Sequence, residues 1–260
     1  GGGKDHSTRG GSRDIANAIS REVFKREPPI NIPYEFIQVG GAKMSSSKGT
    51  GASSREVADL LPPEMVRTLL LQKEPQRTIE FNPAGDTVPI LYDSYDRFAK
   101  NFWTGNTDDF ARLFPFLQPP TLRKYFLEKK VLARFSNVAF LVQMPHVELS
   151  DEIENLEEVK LDKRDKEDLD RRAGCAKRWL YGYAPEHYKF EIQKTVPEGI
   201  KNFSVIQKEA LKSLLMYVEK QSILDGQLLH TELHEMKTRC NISPKELFEA
   251  IYISVLGKTS

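Results

Sequence analysis

Two lysines bracket a run of small hydroxyl residues in Lys43-Met44-Ser45-Ser46-Ser47-Lys48-Gly49. That combination suits the gripping of a polyphosphate. Each lysine brings a compact, strongly hydrated positive charge on a flexible stem. The serines add short hydroxyl donors, and Gly49 permits close backbone approach to a ligand. The glycine-to-lysine spacing of a P-loop is absent. On composition alone, a Lys-Ser-Gly heptapeptide is more often a solvated linker than a site, but its flanks argue for a site. Tyr34 to Val39 alternates between Pro33 and Gly40, as a short strand does. Ser53 and Glu56 form an S-x-x-E capping box that opens a helix near Ser54.

The amino-terminal stretch Gly1-Gly2-Gly3-Lys4-Asp5-His6-Ser7-Thr8-Arg9-Gly10-Gly11-Ser12 sets polar side chains between glycine clusters, ahead of a helical run from Arg13 to Phe24. In open α/β sheets, ligands bind where strands give way to such loops, and the helix amino terminus that follows favours anionic groups. An isolated Asp-His pair is more often a surface turn. From Glu27 to Glu35 the chain is punctuated by Pro28, Pro29 and Pro33, which predicts an extended lead into the Tyr34 strand.

Taken together, these segments resemble class I lysyl-tRNA synthetases. Lys43 to Gly49 is similar to the KMSKS signature of class I aminoacyl-tRNA synthetases in the KMSSSKG form of the lysyl enzymes. The run Gly3-Lys4-Asp5-His6 with Gly10-Gly11-Ser12 resembles the G-K-D-H…G-G-S loop that lines the aminoacyl-adenylate pocket. Pro28 to Glu35, Pro62 to Arg67 and Ile79 to Pro83 also match family segments. The likeness runs over most of the chain, strongest from Gly3 to Phe102 and only general beyond. Glutamyl and cysteinyl class I enzymes share the lysine loop but not the G-K-D-H loop in this form.

The resemblance implies ATP-dependent activation of lysine and its ligation to tRNA(Lys), with Mg²⁺ bound mainly through the ATP phosphates. It assigns Lys43 and Lys48 to the β- and γ-phosphates and makes Met44, Ser45, Ser46, Ser47 and Gly49 the rest of the ATP-binding loop. Lys4, Asp5, His6, Gly10, Gly11, Ser12 and Tyr34 become the substrate-binding set. Asp5, His6 and Tyr34 can each accept from the lysine ammonium, and Gly3, Gly10 and Gly11 allow close approach of the adenylate. The chain also departs from the pattern. The family's His-x-Gly-His/Asn type signature has no counterpart among His6, His146, His187, His230 and His234. The expectation is therefore a carboxy-terminal portion lacking the first half of the catalytic domain and inactive by itself. The alternatives are a non-catalytic tRNA-binding fragment or another class I synthetase, glutamyl or cysteinyl.

The elements that must position these residues divide into three regions. Residues 1–55 predict the second half of a Rossmann-type α/β domain with the lysine loop. Residues 56–150 predict a helical stem-contact region. Val57, Leu60, Leu61, Met65, Leu69 and Leu70 recur at helical spacing, as do Leu91, Tyr92, Tyr95, Phe98 and Phe102. The stripe Tyr95, Phe98, Phe102 and Trp103 reads as core, and Thr121 to Leu141 as a further helix. Residues 151–260 begin with a highly charged stretch, Asp151 to Arg172, expected as a solvated helix or linker. A helical domain follows that resembles the anticodon-binding α-helix cage. Its best-marked helix starts at Ser243, with Pro244, a Glu246 capping box and a terminal Gly257. Leu247, Phe248, Ile251 and Val255 are its expected inward face.

Composition excludes little else. With 39% hydrophobic and 29% charged residues, the chain can pack cores and shows no long apolar run. The reading is a cytoplasmic protein with no membrane and no DNA partner. A net charge of +1 places any tRNA contact on local patches. Cys175 and Cys240 lack metal-ligand spacing, so they read as buried or free thiols and no protein metal site is expected.

Overall fold

A computed structural model describes residues 2–39, 42–43, 54–122, 127–145 and 147–259. The chain is mostly helical, with a few short strands, and divides into two compact units, Gly1–Tyr188 and Lys189–Ser260. No helix among the described residues is long and apolar enough to cross a membrane.

The first unit opens with two strands, β1 (Gly2–Gly3) and β2 (Pro33–Tyr34), paired in parallel with Gly3 opposite Tyr34. A parallel pair needs a crossover. Here α1 (Lys4–Ser7) and α2 (Ser12–Glu22) supply it. A second sheet holds β3 (Ile37–Val39), β4 (Ala42–Lys43) and β5 (Ile79–Phe81). In it β3 lies antiparallel to β4, with Val39 opposite Ala42, and parallel to β5, with Ile37 opposite Ile79. The single strand expected over Tyr34–Val39 is thus two strands in two sheets. The Glu35 amide between them donates to the Pro75 carbonyl at 2.8 Å, leaving the first sheet to join the chain segment that leads into β5. The lysine heptapeptide consequently starts on β4 rather than after the Tyr34 strand.

Helices α3 (Ser54–Leu60), α4 (Pro63–Leu71), α5 (Thr87–Trp103) and α6 (Asp109–Leu117) follow. Leu61, Met65, Leu91, Tyr95, Phe98 and Phe114 are all at most 2% exposed and form the centre of the main core. The aromatic stripe packs there as read. Tyr95 meets Phe114 at 5.5 Å between centroids and donates its hydroxyl to Gln118, while Phe102 and Trp103 pack against the same Phe114 ring. The helix expected over Thr121–Leu141 is corrected. Residues 129–134 have no regular structure and break it, the chain becoming helical again at Phe135–Leu141 (α7). Their polar groups are bound by a later helix. The Val131 amide donates to Asp165, the Lys130 ammonium lies 2.8 Å from Asp168, and the Ala133 carbonyl accepts from Arg172.

That helix is α9 (Lys163–Gly182), preceded by α8 (Leu149–Glu157). The charged stretch expected to be solvated instead sends Asp165, Asp168 and Arg172 into the interior. The Arg172 guanidinium bonds Asp96 on α5 at 2.5 and 2.9 Å and Asp168 one turn back at 2.9 Å. Buried charge persists only where it is paired and hydrogen-bonded. Burial by itself would raise the Asp168 carboxyl, but Arg172 and Lys130 outweigh it and hold the pKa at about 2, against an ordinary 3.8. A folded-state pKa below the unfolded one stabilises the fold above the unfolded value, and this is lost as pH falls. We expect the stability difference between wild type and Asp168→Asn to contain a part worth about 2 kcal/mol. It should be constant above about pH 5 and vanish progressively as pH falls from about 4 towards 2. Urea titrations of both proteins across that range test it, and a pH-independent difference would contradict it.

The second unit is built on α10 (Val205–Glu219), α11 (Gly226–Arg239) and α12 (Pro244–Leu256), around Ala210, Met236, Ile242 and Leu247. Ser243 caps α12 with a reciprocal Glu246 bond, and Gly257 closes it at φ +69°. Its buried stripe is Leu247 and Ala250, with Ile251 beside them, whereas Val255 is 44% exposed. Eight residues on from Leu247, a 3.6-residue period carries Val255 off the stripe.

Candidate active site

The glycine-rich loop between β1 and α2 is folded on itself. Gly10 takes φ +80°, a region open to glycine at no cost. Its amide donates to the Asp14 carboxylate at 2.8 Å, and the Gly11 amide donates to the Thr8 carbonyl at 2.9 Å. The His6 Nδ1 lies 3.0 Å from the Ser12 hydroxyl, which ties the start of the loop to the first turn of α2. Thr8 donates to the Asp5 carbonyl. The structure therefore brings Lys4, Asp5, His6, Gly10, Gly11 and Ser12 into one turn, with Tyr34 placed beside them by the β1–β2 register. The Tyr34 ring is half exposed.

Gly11 is required by space rather than by backbone angle. A Cβ there would sit 2.7 Å from the His6 carbonyl oxygen and 2.9 Å from that of Thr8. Neither atom can move without unwinding α1. Gly11→Ala is expected to open this turn while leaving the melting of the large helical core nearly unchanged. Unchanged hydrogen-exchange protection of the Gly10 and Gly11 amides in the variant would contradict this placement.

Glu35, Phe36 and Asp14 matter here although the sequence reading gave them no role at the site. Glu35 holds the Lys4 ammonium at 2.8 Å, and that ammonium also lies 5.1 Å from the centre of the Phe36 ring. Lys4, read as a ligand-binding cation, is thus committed to Glu35. Asp14 fixes the Gly10 amide. Beside this strand lies a groove of about 620 Å³, floored by Phe36, Ile37, Leu70, Leu71 and Ile79 and edged by Tyr34, Glu35, Lys73 and Arg77. Sequence proximity could have flagged Glu35, but only the register makes it the partner of Lys4.

Lys43 ends β4, its backbone opposite Gln38. The remainder of the heptapeptide, Met44, Ser45, Ser46, Ser47, Lys48 and Gly49, lies outside the described residues, as does Ser53. The chain is described again at Ser54, where α3 begins. The heptapeptide therefore connects the edge of the second sheet to α3. Among the described residues, no group of three His, Cys, Asp or Glu side chains could share a metal ion.

A family model described as "tRNA synthetases class I (K)" matches residues 1–117, which contain both the glycine-rich loop and the lysine heptapeptide. Two lysine–tRNA ligases extend the match to nearly the whole chain. That of Methanosarcina barkeri is 31% identical over 281 residues, covering 99% of this chain and 50% of the relative. That of Archaeoglobus fulgidus is 30% identical over 261 residues, covering 99% and 49%. Over residues 1–117 the chain is similar to the class I (K) tRNA synthetases. A further relative, the lysine–tRNA ligase of Pyrococcus horikoshii, is 30% identical over 268 residues, with 98% of this chain and 50% of the relative covered. The chain thus spans about half the length of the curated relatives it matches. The synthetase match runs on past the family model into the helical remainder, including the second unit.

Proposed function

We propose that the protein activates lysine with ATP and ligates it to tRNA(Lys), with this chain supplying the lysine loop, the glycine-rich loop and the tRNA-facing helices. The observation that carries the reading is the likeness to lysine–tRNA ligases over nearly the whole chain, and the folding of the glycine-rich loop into one turn beside Tyr34 supports it. In this reading the two small sheets are the second half of a Rossmann-type catalytic domain, residues 56–150 contact the tRNA stem, and the helices beyond 151 reach the anticodon.

In the reaction the lysine carboxylate attacks the α-phosphate of ATP and pyrophosphate leaves. Positioning and electrostatic stabilisation supply most of such catalysis. Lys43 and Lys48 neutralise the charge gathering on the β- and γ-phosphates, and Ser45, Ser46 and Ser47 donate to them. Mg²⁺ bound with ATP would supply further positive charge there, with no protein residue assigned to hold it. Asp5, His6 and Tyr34 receive the substrate ammonium, and Tyr34 adds an aromatic face worth about 0.5–2 kcal/mol. Lys4, paired with Glu35, orients the loop. Gly10, Gly11 and Ser12 form its floor.

Amino-acid-dependent ATP–pyrophosphate exchange with tRNA present tests this, using the 260-residue chain and the product of its natural reading frame. Exchange with lysine in the natural product and none in the chain alone is the expected result. Exchange with glutamate or cysteine would keep the class and replace the substrate. None in either protein would leave a tRNA-binding module.

A further inference from the structure

The second unit carries two histidines that the proposed function does not use. His230 and His234 lie four residues apart on α11, which puts them on one helix face. Both are exposed, and their ring centroids are 4.6 Å apart with the planes tilted by 57°. The helix beneath them is fixed. Asp225 caps its first turn by accepting from the Gln227 and Leu228 amides, Met236 is fully buried, and Leu233 packs against the core of the unit. The Glu232 carboxylate between the two histidines is taken by Arg239 at 2.6 Å.

A cation already faces this pair. The Lys237 ammonium lies 2.7 Å from Nδ1 of His234. An ammonium only donates, so this ring nitrogen presents its lone pair to positive charge. A neutral imidazole lone pair is also what a transition metal takes. Histidines at i and i+4 are the spacing with which one helix face holds zinc in H-E-x-x-H sites. Thr231 stands where that signature has its glutamate, so the general base of those enzymes is missing.

We propose that His230 and His234 form a two-histidine binding site for a divalent transition-metal ion of the zinc class, with Lys237 as its competitor. The imidazoles supply two of four tetrahedral positions. No group of three His, Cys, Asp or Glu side chains occurs among the described residues, so water fills the other positions. Such a site is open and exchangeable, unlike a closed structural one. It stands apart from the lysine loop and does not depend on the synthetase reading.

Isothermal titration of the 260-residue chain with Zn²⁺ at about pH 7.5, where an ordinary imidazole is neutral, is the test. Losing an outer-shell partner already costs about 10–100-fold in metal affinity. His230→Gln and His234→Gln each remove a ligand, so each should weaken zinc binding by at least about tenfold. Lys237→Met should tighten it about fivefold, the size of one unit-charge repulsion across about 4 Å of water. A substitution that merely disturbed the helix would not strengthen binding. Zinc should also raise the melting temperature of the wild type and leave that of His230→Gln unmoved. Absence of zinc binding by the wild-type chain, binding as tight in either glutamine variant, or weaker binding in Lys237→Met would overturn the proposal.

Discussion

Replacing Lys48 by alanine is expected to slow lysine activation by about 10²–10³-fold, the cost of one preorganised electrostatic contact, about 3–4 kcal/mol. Charge accumulates on the leaving pyrophosphate only as the α-phosphate is attacked. An ammonium at the end of a loop therefore stabilises the transition state more than bound ATP. The loss should appear mainly in kcat, with a smaller change in the KM for ATP. Lys48→Arg should not restore the rate fully, since a planar guanidinium fork differs from a compact ammonium in reach and hydration. In the proposed function Lys43, at the sheet edge on β4, shares the task, so Lys43→Ala should fall in the same direction by a smaller factor. Pre-steady-state measurement of adenylate formation decides the matter. A Lys48→Ala rate within about threefold of wild type would show that the phosphates are stabilised by other groups.

The second large effect concerns the interior of the first unit. Arg172→Met should destabilise it by about 3–5 kcal/mol, because it strands the Asp96 carboxylate in the core and takes one of three cations from Asp168. Arg172 is 3% exposed, bonds both acids and the Ala133 carbonyl, and lies 5.2 Å from the centre of the Tyr92 ring. Burial pushes the Asp96 carboxyl up, opposed by Arg172, so the variant should take up a proton there on folding. Combining Arg172→Met with Asp96→Leu should recover part of the loss, since the penalty comes from the unpaired charge. Calorimetry of the wild type, the single and the double variant provides the check. A single-variant loss below about 1 kcal/mol would place the arginine's charge effectively in solvent.

Local signals were legible wherever the partners are close along the chain. Ser243, Pro244, Glu246 and Gly257 delimit α12 because each cap bond spans only a few residues. The aromatic positions of α5 announced a core face, since helical period and burial coincide there. The glycine-rich loop was legible for the same reason: its residues are contiguous, so order along the chain already puts Lys4 to Ser12 in one turn.

Tertiary structure alone decided the rest, because those partners are far apart in sequence. Arg172 meets Asp96 across 76 residues, which turned a stretch of mixed charge from solvated surface into buried cross-bracing. The 129–134 segment lost its helix to carboxylates on α9, more than thirty residues away. A pairing of Glu35 with Pro75 split one predicted strand into two sheets. In each case a long-range hydrogen bond or ion pair, stronger in the interior than in water, outweighed a local preference that the sequence expressed by itself.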